Sequence, residues 1–142
     1  MQQPPGPSAS PIQEQQQKSE WNKFIASFGY AFSGLWHVLR TQRNARVHMF
    51  IGACAIILGV VLRISAVEFA MIFIAISGVF IAEMFNTVIE ICIDFVSPGY
   101  HPLAKIAKDV AAGAVLLNAI LSIIIGLFVF GPHLWGVITR MY

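Results

Sequence analysis

Apolar residues in this chain follow two patterns, one stretch at helical steps and three nearly unbroken runs. In residues 20–41, Trp21, Phe24, Phe28, Phe32, Leu35 and Leu39 recur every three or four positions, while Asn22, Lys23, Ser33 and His37 fall largely elsewhere. That is the period of an amphipathic helix. One side is too polar to span a bilayer, and its Trp and Phe content fits a helix lying in the headgroup region. The same face could also pack against neighbouring helices, and the two roles are compatible. The unbroken runs cover residues 47–63, 67–95 and 110–130. Crossing a hydrocarbon core takes about 20 apolar helical residues, so three spans are expected. The first is short and is expected to extend into its flanks or to let an arginine snorkel. Residues 64–67 make a tight connection. Ser97-Pro98-Gly99 breaks the second run and Gly131-Pro132 ends the third, since Pro and Gly interrupt regular structure. Residues 1–19 are rich in Gln, Pro and Ser without apolar periodicity, which predicts a disordered tail. They lack the basic start and apolar core of a signal peptide. No internal repeat is evident.

Composition supports this division. Of 142 residues, 57% are hydrophobic and only 11% charged, against about 25% charged in a soluble domain. One all-α integral-membrane domain over residues 20–142 is therefore expected, with three spans and an N-terminal amphipathic surface helix. The net charge of +2 says little. No basic patch carries base-reading or stacking groups, so nucleic acid is not an expected partner. Cys54 and Cys92 lie in apolar runs with no zinc spacing and read as small packing residues. Lys18, Lys23, Arg40, Arg43, Arg46, Lys105 and Lys108 fall on one side of the three-span arrangement, Arg63 and Arg140 on the other. The first side is then cytoplasmic, and the second span runs from outside to the cytoplasm.

That second span carries a polar face. Glu83, Asn86, Glu90 and Asp94 are separated by three, four and four residues, which aligns them on one side of a helix. Carboxylates in or near lipid are costly and read first as functional. Glu83 lies about 24 Å along the span from Val67 at 1.5 Å per residue, just inside the cytoplasmic edge of a core about 30 Å thick. Glu90 and Asp94 lie beyond it. The face thus begins in lipid and ends in water, and a second polar cluster, Lys105-Ile106-Ala107-Lys108-Asp109, follows the next turn.

A water-soluble and a lipid-soluble reactant could meet along such a face. Glu90 and Asp94 are hard oxygen ligands suited to Mg²⁺ carrying a polyphosphate. Glu83, partly desolvated, is placed to act as a base on a lipid headgroup hydroxyl. Lys108 can neutralise phosphate oxygens, and Asp109 can orient it or help hold the metal. Phosphoryl transfer needs mostly this positioning and charge compensation. Two other readings compete. A small ion or proton transporter would use Glu83, but would want its ionisable groups near mid-membrane. A structural oligomer would use Asn86 as helix–helix glue and the lysines as anchors. No GxxxxGK[ST] loop or kinase-type GxGxxG is present, so a soluble nucleotide-binding fold is unsupported.

The motif Glu83-x-x-Asn86-Thr87-x-x-Glu90-x-x-x-Asp94, followed by Ala107-Lys108-Asp109-x-x-Ala112-Gly113-Ala114-Val115, resembles the small prokaryotic diacylglycerol kinase family, which includes the undecaprenol kinases. Gly29-Tyr30-Ala31-Phe32-x-Gly34-Leu35 and Arg43-Asn44-x-Arg46-Val47-His48 extend the likeness, which runs from about Phe28 to Phe130. The resemblance implies a lipid kinase of the bacterial inner membrane that uses ATP and Mg²⁺. It implies a homotrimer with active sites between subunits, facing the cytoplasm. By position, Glu83 matches the family's proposed catalytic base and Glu90 its metal-binding carboxylate. Asn86, Asp94, Lys108 and Asp109 match the polar lining around nucleotide and substrate, with Glu83 and Asn86 on the substrate side. Tyr100-His101 matches a Tyr-His pair near the nucleotide. Where the family usually has a metal-binding Glu before Arg-Asn, this chain has Gln42. Gln42 keeps an oxygen ligand but loses the charge, and the resemblance makes it a second metal-site residue. The lipid is undecaprenol or diacylglycerol. The Arg-Asn-x-Arg-x-His segment resembles Gram-positive-type members and tilts the expectation to undecaprenol, although a tail among apolar side chains leaves no readable code.

Overall fold

The computed structural model describes residues 11–141, and side chains from 20 to 140. It contains four helices in chain order: α1 (Pro11–Thr41), α2 (Arg43–Leu62), α3 (Ala66–Val96) and α4 (Pro102–Met141). Among the described residues there is no strand. The last three helices are long and apolar enough to cross a membrane. The described residues up to His37 form one compact unit and those from Val38 a second.

In the first unit, α1 begins at Pro11, inside the segment expected to be a disordered tail. Proline suits a first helical position, and the Gln-rich stretch behind it has good helix propensity. Residues 1–10 of the expected tail lie outside the described residues. Trp21, Phe24 and Phe28 stack edge to face along the helix, with ring centroids 6.0 and 5.1 Å apart. All three stay exposed, as does Phe32.

In the second unit, Gln42 is extended (φ −93°, ψ 117°) and α2 starts directly after it, taking Arg43 to Arg46 into a 20-residue helix. The first span therefore gains its length at its basic flank. Arg46 Nη1 donates to the Arg40 carbonyl at 2.9 Å, which directs that charge away from the apolar run. At the far end Arg63 is left-handed (φ 53°, ψ 46°). The N–H groups of Arg63 and Ile64 reach back to the carbonyls of Val60 and Gly59 at 3.2 and 3.1 Å, which caps α2. Two residues on, a capping box starts α3: Ser65 N–H donates to Glu68 Oε2 at 2.7 Å, and Glu68 N–H to Ser65 Oγ at 3.3 Å. Gly59 makes this turn possible. A Cβ there would lie 2.9 Å from Ile64 Cδ1 and 3.0 Å from Phe69 Cε1.

The core sits beside the turn, where buried Ile64, Ile72 and Val129 are packed by Phe69, Ile125 and Phe130. α3 packs most extensively on α4 and less on α2, while α2 and α4 touch little. Ser122 on α4 donates to the Ala75 carbonyl of α3 at 3.2 Å, a polar tie between apolar helices.

α3 ends at Ser97, whose N–H reaches the Ile93 carbonyl at 2.8 Å. After the break α4 begins at Pro102 and runs for 40 residues. The expected end of the third span at Gly131-Pro132 is not observed, because the helix continues through Pro132. A proline removes one N–H donor, but membrane helices tolerate this when side chains serve the surrounding carbonyls. The carbonyl that loses its donor here is that of Phe128, and a side chain approaches the next one along, with His133 Nδ1 2.9 Å from the Val129 carbonyl.

Candidate active site

The helical period of α3 turns Glu83, Asn86 and Thr87 inward, leaving them 1%, 8% and 3% exposed. Glu83 is the largest fully buried side chain among the described residues. Thr87 satisfies its hydroxyl locally by donating to the Glu83 carbonyl at 2.9 Å. From α2, His48 brings Nε2 to 3.5 Å from Glu83 Oε1. That carboxylate oxygen, like Asn86 Oδ1, has no hydrogen-bond partner.

One turn further along, Glu90 is bridged by two amides. Asn86 Nδ2 donates to its Oε1 at 3.0 Å, and Gln42 Nε2 to its Oε2 at 3.2 Å. Gln42 comes from the α1–α2 junction, so this contact ties the start of the first span to the polar face of the second. Another turn on, exposed Asp94 forms an ion pair with Lys108 of α4. The four polar positions of α3 thus run from sealed to open. Glu83, Asn86, Glu90 and Gln42 form one cluster, and Asp94 with Lys108 forms its outer neighbour.

Three expected members stand apart. Asp109 does not orient Lys108 but pairs with Lys105 at 2.7 Å. Successive helical residues point about 100° apart, whereas residues four apart share a face. His101 Nδ1 accepts the Leu103 N–H at 3.2 Å, which caps α4. Tyr100 is 85% exposed. Among the described residues, no hydrogen bond or ion pair joins Tyr100 or His101 to Glu90. Sequence reasoning gave His48 no role, although a lone imidazole at the second position of an apolar run was a visible signal. It also passed over Ser65-x-x-Glu68, a capping-box pattern legible ahead of an apolar run.

An apolar cleft of about 280 Å³ starts at His48 and lies between α2 and α4 above α3, with Gly52, Ala55, Ala75 and Phe130 on its walls. Small residues leave this space, and α2 and α4 do not close it. The buried end of the polar row therefore adjoins a place for a hydrocarbon chain, and its open end adjoins water.

The donors around Glu90 are few. No group of three or more His, Cys, Asp or Glu side chains capable of holding a metal occurs among the described residues. What is present is one carboxylate, the unpartnered amide oxygen of Asn86 and the amide of Gln42. These are hard oxygen donors, and Mg²⁺ is commonly held by one or two carboxylates with substrate phosphates and waters completing its shell. The residues fit such an ion as a partial site.

A three-span helical membrane protein with a graded row of polar groups beside an apolar cleft belongs to the class of small membrane-embedded enzymes. A profile of the prokaryotic diacylglycerol kinase family matches residues 29–130, and the chain belongs to that family of lipid kinases. It is 43% identical over 117 residues to the undecaprenol kinase of Bacillus subtilis (strain 168), covering 82% of this chain and 95% of that one. It is 42% identical over 113 residues to a diacylglycerol kinase of Synechocystis, covering 77% of this chain and 65% of that one. The diacylglycerol kinase of Escherichia coli (strain K12) is 25% identical over 113 residues, with 80% and 93% covered.

Proposed function

We propose that this protein transfers the γ-phosphate of ATP to the hydroxyl of a membrane lipid alcohol, at the cytoplasmic face of a bacterial inner membrane. One observation carries the reading. Glu83 is a buried carboxylate within two turns of Glu90, 3.5 Å from His48 at the mouth of the apolar cleft. A headgroup hydroxyl at that mouth loses its proton to Glu83. The hydroxyl oxygen bonds to the γ-phosphorus as the bond to the β-phosphate bridging oxygen breaks. The products are a lipid phosphate and ADP, with the proton on Glu83. Lys108 supplies positive charge toward the phosphates, held in place by Asp94. Glu90, Asn86 and Gln42 would hold Mg²⁺, which supplies charge neutralisation to the triphosphate.

The Lys and Arg excess at this end of the spans supports the cytoplasmic orientation. We further infer a homotrimer with sites between subunits. In that assembly Tyr100, His101 and Asp109, which make no hydrogen bond or ion pair to Glu90 in one chain, would complete the nucleotide side. The exposed aromatic row of α1 suits the headgroup region. Undecaprenol is favoured over diacylglycerol, because the relative covered over 95% of its length is named an undecaprenol kinase. Purified protein incubated with labelled ATP and a panel of lipid alcohols tests this reading. Label should enter undecaprenol fastest. Equal labelling of diacylglycerol would remove the preference, and labelling of no lipid would remove the function.

A further inference from the structure

Glu83 is sealed from water, yet no group on its own helix can steady its side chain. The Thr87 hydroxyl is committed to a backbone carbonyl, and the Asn86 amide nitrogen to Glu90. Lys108 is paired with Asp94. The polar side chain that approaches Glu83 comes from the facing helix. His48 Nε2 stands 3.5 Å from Oε1, with the His48 side chain 26% exposed against 2% for Glu83. We propose that His48 is a positioning residue that holds Oε1 of Glu83, leaving the second carboxylate oxygen to meet the lipid hydroxyl. The inference rests on the reading of Glu83 as the base.

An unpaired carboxylate oxygen in a buried site is costly, so a donor within reach is strongly favoured. An approach of a few tenths of an ångström converts the present separation into a charge-assisted hydrogen bond, and it requires only that Nε2 carry a proton. The rest of the cleft lining offers no free donor: Gly52, Ile76 and Val79 are apolar, and the Ser122 hydroxyl is committed to the Ala75 and Asn118 carbonyls. Without His48 the carboxylate turns about its terminal bond. A base displaced by about 1 Å can lose about 10²-fold in rate.

The experiment compares wild type, His48→Ala and His48→Gln in the lipid phosphorylation assay, with kcat and the KM for ATP measured separately. The Ala variant is also assayed with added imidazole. His48→Ala should lower kcat by about 10²-fold with the KM for ATP within a factor of about two, because the polar partners of Glu90 and Lys108 do not include His48. His48→Gln keeps a side-chain N–H donor and should recover part of the loss. Imidazole should restore turnover to His48→Ala but not to Glu83→Gln, an effect that a purely packing role would not show. Should His48→Ala fail to fold, the Gln variant decides, since activity at the level of an inert Leu substitution would overturn the proposal. Wild-type kcat in His48→Ala would overturn it too, while leaving the kinase reading intact. A wild-type protein inactive on every lipid would overturn both.

Discussion

Glu83 and Glu90 are two turns apart on α3 and chemically unlike. One is enclosed with a free oxygen, the other has both oxygens taken by amides. If the first is the base, Glu83→Gln should lower turnover by about 10²–10⁴-fold, the usual contribution of a general base. ATP binding should survive, and isothermal titration with a non-hydrolysable analogue checks that half. Turnover within tenfold of wild type would remove Glu83 from the role. Gln42→Glu has the opposite character. Gln42 Nε2 is 3.2 Å from Glu90 Oε2, so the substitution would set two carboxylates side by side. They repel when bare and cooperate around a dication. The free Mg²⁺ giving half-maximal activity should fall, and an unchanged or higher midpoint would exclude residue 42 from the metal site. The polar row itself was legible, because a period of 3.6 is a local property. The identity of each partner was not. His48 and Gln42 meet α3 only through the packing of another helix, which no spacing within α3 encodes.

At the scale of elements, the apolar runs announced three helices and both ends of α3 to within a residue, but not where α2 begins or α4 ends. α2 begins earlier than its apolar run because Arg43 and Arg46 can sit in a helix while their charges reach outward. α4 ignores Gly131-Pro132 because a membrane helix tolerates the loss of one N–H donor. The turn between α2 and α3 is where sequence and packing agree most closely. Ser65→Ala removes the capping box and should cost about 1 kcal/mol. Gly59→Leu drives a side chain into Ile64 and Phe69, already 2.9 and 3.0 Å from a single added carbon. It should cost about 1–3 kcal/mol as an overpacked core. Unfolding in mixed detergent micelles would rank the two, and a Gly59→Leu protein as stable as wild type would mean that the turn is looser than described.

For the molecule as a whole, the number of spans and their helical class were readable from composition and run length. The joining of α3 to α4 near the site was not. It depends on Lys108 reaching Asp94 across the break that Ser97-Pro98-Gly99 creates. Both groups are substantially exposed, and exposed pairs contribute about 0–1 kcal/mol. Lys108→Ala should therefore leave thermal stability nearly unchanged yet raise the KM for ATP several-fold, since a phosphate loses its cation. A fall in melting temperature with KM unaltered would make Lys108 structural instead.

The capping box, the left-handed Arg63 and the packed Ile64–Ile72–Val129 core all lie at one end of α2 and α3. At the other end, described side chains join α2 to α3 through two polar contacts, Gln42 with Glu90 and His48 with Glu83. Such a pair of helices resembles tongs, with a packed core at the pivot and, at the tips, those two polar contacts and the fully buried Ala45. A lipid can then enter sideways from the bilayer by parting the tips, with no need to unpack the core. Amide hydrogen exchange should accordingly run faster at the start of α2 than near Gly59, and uniform protection along α2 would show instead that the tips are clamped.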